Sequence, residues 1–353
     1  DKGFDYFWGI PASMNYGVLA WFEGRFAKVP PTQFTAKKLN AIAISDYRIK
    51  PPYAKVPPKN PTKNDLEVAP DFVDIECLDR FTTQSIRWLD GRAEAARNGK
   101  PFFLYLPYTS PHKPVIPLKQ FRGQGKAGAY GEFMIETDHH LGRILKWLDD
   151  EKLAKNTMVI FTSDNGPETT WRERIKRFGH HSNSIYREGK RSVYEGGHRV
   201  PFIIRWPAVV KAGSKWNQPV CQTDLLATFA QMTGQSLPAN AGEDSLSFYA
   251  VLKGARENSV APRVAMVHHG MQGRFALREQ NWKLVMEDAR KGKRELYNLD
   301  KDPGETTNVI AQHPQVAARL VAKLTSIVRN GRSSPGPVQK NDTPPWKELI
   351  WMH

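Results

Sequence analysis

VIFTSDNGPE, residues 159–168, is an apolar run that ends abruptly in an acid, an amide and a glycine. Its β-branched and aromatic residues predict a strand, and Gly166 lets the backbone turn away from it. Open α/β sheets hold ligands just beyond the carboxyl ends of their strands. Asp164 and Asn165 stand at that position, and their oxygens suit a hard cation such as Ca²⁺ or Mg²⁺. Asp-Asn-Gly is also ordinary turn chemistry, so the string alone leaves both readings open.

Working outward, the pattern is that of an α/β chain. Asp74 stands where a helix cap is expected, and the helix should run to about 98 with Leu78, Phe81, Trp88 and Leu89 on one face. PFFLYLPY (101–108) reads as an apolar strand buried on both faces. Residues 129–150 form an amphipathic helix whose stripe is Tyr130, Met134, Thr137, Leu141, Ile144 and Leu148. TMVIFTS (157–163) then closes a βαβ unit, expected to be parallel and right-handed. In that arrangement the loops holding His112 and Asp164 leave the sheet along one edge.

VPFIIRW (200–206) is a third strand, and TDLLATFAQMTG (223–234) a helix with a Thr-Asp start and a Gly stop. Residues 1–70 are Pro-rich and irregular, which predicts a long surface excursion. Beyond about 255 come four short strands, RVAMVH, GRFALRE, WKLVME and RELYNL, followed by a helix over about 313–329. That helix carries Val316, Leu320, Leu324 and Ile327 on one side. The fold class is α/β: a mainly parallel sheet flanked by helices over 1–254, and a subdomain over 255–353 with an antiparallel sheet and a helix.

Composition narrows the function. Lys and Arg number 51 against 36 acidic residues, a net charge of +15. Such a surface attracts polyanions, but no nucleic-acid recognition module is visible and nucleic acid is not an expected partner. Scattered lysines that keep a chain soluble are the plain alternative. No run reaches the ~18 apolar residues that would span a bilayer. The two cysteines have neither a disulfide framework nor zinc spacing around them.

Three segments carry a family likeness: SDNG at 163–166, EGKRSVYEGGHRVP at 188–201, and YTSPHKP at 108–114. Together they resemble the type I sulfatase family, within the alkaline phosphatase superfamily, and they occur in the family's order. ELYNLDKDPGETTN (295–308) and GFDYFWGIPAS (3–13) are similar to it as well. The resemblance implies an alkaline-phosphatase-like fold, a sulfuric ester hydrolase, and a periplasmic or secreted location. It makes the substrate an aryl or, in preference, a carbohydrate sulfate ester, carried on a small molecule or a glycan.

The resemblance also assigns roles. Asp164 and Asn165 would be Ca²⁺ ligands, with Mg²⁺ the alternative ion. Lys190 would hold the sulfate, and His112 would contact it and protonate the leaving group; imidazole ordinarily titrates near ~6.5. His180, His181 and His269 would meet the rest of the substrate, and Asn183 lies in the same stretch as the first two. Glu195 and Arg199 would order the local turn.

One departure qualifies the match. The family's nucleophile, a formylglycine made from Cys/Ser-x-Pro-x-Arg, has no counterpart, because Cys77 sits in CLDRF, Cys221 in CQTDL and Ser259 in SVAPR. The family's early Asp pair is absent too. The expectation is therefore an N-terminal segment ahead of Asp1 that carries the nucleophile, and negligible turnover by residues 1–353 alone. Two other readings stand beside this one: a two-zinc phosphatase or phosphodiesterase of the same superfamily, and a non-catalytic binder of sulfated glycans.

Overall fold

The computed structural model describes residues 3–36, 49–255, 263, 265–288, 293–340 and 346–352. Contacts divide the chain into two compact units, residues 1–157 with 172–180, and residues 158–171 with 181–353.

In the first unit the Pro-rich start is not merely a surface excursion. β1 (Trp8–Gly9), β2 (Phe22–Glu23) and β3 (Phe26–Ala27) make a small antiparallel meander, and β4 (Gln33–Ala36) pairs antiparallel with β5 (Asp65–Val68). Trp8 stacks on Trp21 with centroids 4.5 Å apart, and Phe81 meets both rings edge-on. Met14, Leu19, Val68 and Phe72 are fully buried around them. Two-residue strands carry no hydrophobic period, so pattern reading misses a core built from a few large rings.

The next helix is broken in two. α1 (Cys77–Asp90) and α2 (Ala93–Arg97) are separated at Gly91–Arg92. Asp74 does not cap its own helix; its carboxylate accepts the N–H of Ile49 at 2.7 Å. Trp88 is half-buried, while Leu78, Phe81 and Leu89 are buried. Cys77 is buried as well, which pushes its thiol far above the ordinary range.

α3 (Gly128–Asp150) spans the expected residues, but its buried face is rotated from the expected stripe. Phe133, Glu136, Thr137, His140, Ile144, Trp147 and Leu148 are inside, whereas Tyr130, Met134 and Leu141 are only half-buried. Polar residues turn inward because a neighbouring loop supplies donors. Leu118 N–H binds Glu136 at 2.8 Å, and Gly123 N–H binds Glu132 at 2.8 Å.

The expected parallel βαβ unit does not form among the described residues. Residues 101–108 join no ladder, and their burial alternates at period two, as in extended chain with one face outward. Phe103 is 61% exposed and Tyr105 68%, so the segment is not buried on both faces. In the second unit β6 (Val159–Thr162) pairs with β7 (Phe202–Arg205), and the pairing is antiparallel, Val159 opposite Arg205 and Thr162 opposite Phe202. The chain from 163 to 201 turns back on itself, which reverses the second strand. α4 (Trp171–Phe178) and the short α5 (Glu195–His198) lie within that excursion.

α6 (Asp224–Met232) and α7 (Tyr249–Leu252) follow. Asp224 accepts the N–H of Cys221 and the N–H of Leu246, each at 2.8 Å, and pairs with buried Arg263. The C-terminal sheet matches the expectation. β8 (Met266–His269), β9 (Phe275–Glu279), β10 (Trp282–Val285) and β11 (Glu295–Asn298) form an antiparallel sheet in the order β11-β10-β9-β8. α8 (Pro314–Asn330) starts on a proline and ends at Gly331 in the left-handed conformation, φ +64°.

Successive side chains of a strand point to opposite faces. Leu277, Leu284 and Leu296 therefore pack on Ala317, Leu320 and Leu324 of α8, while Ala276, Val285 and Tyr297 pack on Val193 and Tyr194. The sheet is buried on both sides, and its second side backs the most motif-rich stretch of the chain.

Candidate functional site

Main-chain hydrogen bonds join the segment after β6 to residues 187–197. Gly166 N–H donates to Gly197 O at 3.0 Å, Lys190 N–H to Pro167 O at 2.8 Å, and Gly196 N–H to Arg187 O at 2.9 Å. Arg191 adds a two-pronged ion pair to Glu168, at 2.5 and 2.7 Å. That guanidinium pulls the Glu168 carboxyl down to about 2.

Such close backbone approach needs residues without a side chain. A Cβ on Gly166 would overlap the carbonyl of Gly196, one on Gly189 that of Pro167, and one on Gly196 those of Arg187 and Glu188. The glycines serve close approach here, since none of the three has a positive φ. Glu188 and Arg191 do, at +62° and +76°. Bulky residues pay roughly 1–2 kcal/mol for that conformation.

This stitching brings Asp164, Asn165 and Lys190 into one local structure. Asp164 is exposed, and Asn165 and Lys190 are half-buried. Asn183 belongs to its support: its amide donates to Tyr186 O at 2.7 Å and Glu188 O at 3.1 Å, which shapes the turn ahead of Lys190. Trp171, Asn183, Tyr186, Arg187 and Glu188 line a cavity of about 470 Å³ beside it.

Behind the site stands a buried charge cluster that sequence reading did not find. Glu195 binds Lys283 at 3.0 Å and Arg278 at 3.0 Å, and Lys283 also reaches Glu305 at 3.1 Å. Lys283 and Glu305 are fully buried and Glu195 is 1% exposed. Burial opposes charge on Glu195, but Lys283 and Arg278 outweigh it and hold the carboxyl below its usual range. For Glu305 burial wins over Lys283, and its carboxyl is raised. Glu305 also accepts the Glu195 N–H at 2.7 Å. Glu195 was expected to order its turn; its carboxylate is held by cations from two strands, Arg278 of β9 and Lys283 of β10.

His198 and His268 stack beside this cluster, centroids 4.4 Å apart and 17° from parallel. Burial first and Lys283 second pull His198 down to about 4, and the same two causes take His268 well below its ordinary value. In the unfolded chain both rings take a proton near ~6.5. The unfolded state thus binds more protons than the folded one, and stability falls as pH drops from 6.5 towards 4. Each ring contributes up to ~1.4 kcal/mol per pH unit in that window. Urea unfolding at pH 7, 6 and 5 should show this slope, and His198→Phe should flatten part of it. An unchanged slope in the variant would refute the assignment.

In the first unit, His112 sits in a loop bounded by cis Ser110–Pro111 and Lys113–Pro114. Its Nδ1 lies 2.7 Å from Lys113 O and 3.5 Å from Ser13 Oγ. A carbonyl only accepts, so Nδ1 carries a proton and Nε2 is the nitrogen left for other work. The Asn15 side-chain amide donates to the same carbonyl at 2.9 Å.

His180 belongs to the first unit, exposed, with its ring 6.1 Å from Tyr130. His181 belongs to the second and is exposed. His269 ends β8, and the hairpin after it is tied to the Lys190 stretch, Met271 N–H donating to Arg191 O at 2.9 Å. Among the described residues no three His, Cys, Asp or Glu side chains converge as a metal group. Asp164 and Asn165 offer two oxygen donors, which fit part of the ~6–8 that Ca²⁺ takes.

A sequence profile described as Sulfatase matches residues 13–235. The chain belongs to the sulfatase family. A second profile, N-sulphoglucosamine sulphohydrolase, C-terminal, matches residues 186–330 of this sulfatase chain. It is 35% identical over 245 residues to an N-acetylgalactosamine-6-O-sulfatase of Bacteroides thetaiotaomicron, covering 65% of this chain and 47% of that protein. It is 34% identical over 183 residues to the steryl-sulfatase of Homo sapiens, covering 51% and 30%. The chain therefore spans about half the length, or less, of these curated relatives. Among solved structures, one designated BT33336S-sulf, on metabolism of multiple glycosaminoglycans by Bacteroides thetaiotaomicron, superposes with TM-score 0.75 at 28% identity. That likeness covers 92% of this chain and 72% of the other. The sulfatase-like α/β fold follows, antiparallel C-terminal sheet included. No helix among the described residues is long and apolar enough to cross a membrane.

Proposed function

We propose that the protein is a sulfuric ester hydrolase acting on a carbohydrate sulfate. The observation that carries the reading is the main-chain staple from Lys190 N–H to Pro167 O, which ties the Lys190 stretch to the segment that holds Asp164 and Asn165 after β6. An N-acetylgalactosamine-6-O-sulfatase among its relatives supports a sugar ester over an aryl one. We also propose secretion or a periplasmic location, and a nucleophile segment upstream of Asp1.

In this reading Asp164 and Asn165 would hold Ca²⁺. Bound metal and formylglycine would supply electrophilic stabilisation and the nucleophile. The Lys190 ammonium faces charge on the sulfuryl oxygens, a contribution that grows as the ester bond breaks. Arg191 does not compete for that role, because Glu168 neutralises it. His112, its Nδ1–H anchored on Lys113 O, would deliver a proton from Nε2 to the leaving oxygen. His180, His181 and His269 would contact the sugar.

The test is hydrolysis of sulfated N-acetylhexosamine by the intact protein, with Lys190→Ala expected to lower kcat about 10²–10³-fold. Equal rates in wild type and variant would remove Lys190 from the site. Two Zn²⁺ per chain in place of one Ca²⁺ would favour phosphoryl transfer. Tight sulfated-glycan binding without turnover would favour a binder.

A further inference from the structure

The β8–β9 hairpin tip and the C-terminal tail build an apolar surface next to the Lys190 stretch. His269 stacks on Phe275, centroids 4.3 Å apart and 29° from parallel, and lies 4.7 Å from Trp346. Phe275 also meets Trp351 edge-on at 5.4 Å. Trp346 is nevertheless 48% exposed and Met271 70% exposed. Single exposed apolar residues need no explanation, but ring contacts join His269, Phe275 and Trp346 into one group, with Met271 two residues along the hairpin from His269.

The group is held in place. Gly270 N–H donates to Arg274 O at 2.8 Å and Gly273 N–H to Gly270 O at 2.9 Å, closing the hairpin. Leu349, which is buried, donates its N–H to Trp346 O at 3.0 Å and fixes the tail. Met271 N–H reaches Arg191 O at 2.9 Å, so one hydrogen bond and one residue separate the tip from Lys190.

We propose that Trp346, Met271 and His269 form a platform for the sugar ring next to the sulfated one, so that the substrate is a chain and not a single sugar. A pyranose has apolar C–H faces and polar edges, which suits an aromatic surface rimmed by hydrogen-bonding groups. The basic balance of the chain, +15, draws in a polyanionic glycan over longer range. Loss of solvent on one face lowers the His269 pKa, which leaves a neutral ring suited to hydroxyls. The inference rests on the sulfatase reading above and adds the length of its substrate.

The experiment compares a sulfated tetrasaccharide with the corresponding sulfated monosaccharide on the intact protein. Trp346→Ala and Met271→Ala are each expected to lower the ratio of kcat/KM for tetrasaccharide to monosaccharide, about tenfold for Trp346, while Trp346→Phe retains it. Proportionate losses on both substrates would overturn the platform. If the wild type hydrolyses neither, the sulfatase reading fails by itself. The platform is then read by calorimetric binding, where tetrasaccharide must bind wild type more tightly than Trp346→Ala. Equal affinities would overturn it.

Discussion

Gly196→Ala is expected to destabilise the second unit by at least ~3 kcal/mol and lower its Tm by roughly 6–12 °C. The added methyl would run into two carbonyl oxygens, those of Arg187 and Glu188. Backbone cannot swing aside as a side-chain tip can, so the excursion itself must shift. The Gly196 N–H to Arg187 O bond would be lost with it, and so would the Gly166 bond to Gly197 next door. Gly142→Ala is the control. It lies mid-helix in α3 with nothing within 4 Å of its would-be Cβ, and alanine there should stabilise by ~0.5–1 kcal/mol. Differential scanning calorimetry of both variants decides the matter, and a Gly196→Ala protein that melts like wild type would contradict the packing described.

Lys283→Met should lose about 3–5 kcal/mol, because it removes the cation that two buried carboxyl groups share. Glu195 keeps Arg278, but Glu305 loses the Lys283 ammonium at 3.1 Å. Neutralising that carboxyl ought to restore part of the loss. In Lys283→Met/Glu305→Gln the amide oxygen can still accept the Glu195 N–H, a bond of 2.7 Å in the parent. Chemical denaturation of the single and double variants gives the comparison. If Glu305→Gln makes Lys283→Met worse, the charge argument is wrong and the cluster matters for shape alone.

The sequence carried the C-terminal sheet and α8 well, because short alternating strands and a capped amphipathic helix express their period directly. It carried the three motif segments as well, since glycines at close approaches and polar residues after a strand are local signals. It did not carry strand direction. Nothing within VIFT or FIIR says which neighbour each strand takes, and the pairing of β6 with β7 is antiparallel. Nor did it reveal the aromatic core of the first unit, where Trp8, Trp21, Phe72 and Phe81 are too far apart in sequence to form a period. α3 misled in another way. Glu136 and His140 are buried where hydropathy points outward, and the donor to one Glu136 oxygen comes from Leu118, remote in sequence. The Glu195–Lys283–Glu305 cluster is illegible for the same reason: its members are charged residues drawn from remote positions.

The bond from Lys190 to Pro167 closes residues 168–189 into a loop whose two feet are clamped by main chain. Anchors of that kind are indifferent to which side chains lie between them, and lengthening a closed loop is entropically cheap. Exposed positions between the feet, such as Thr169 and His181, can therefore vary while the groups mounted on the feet stay in register.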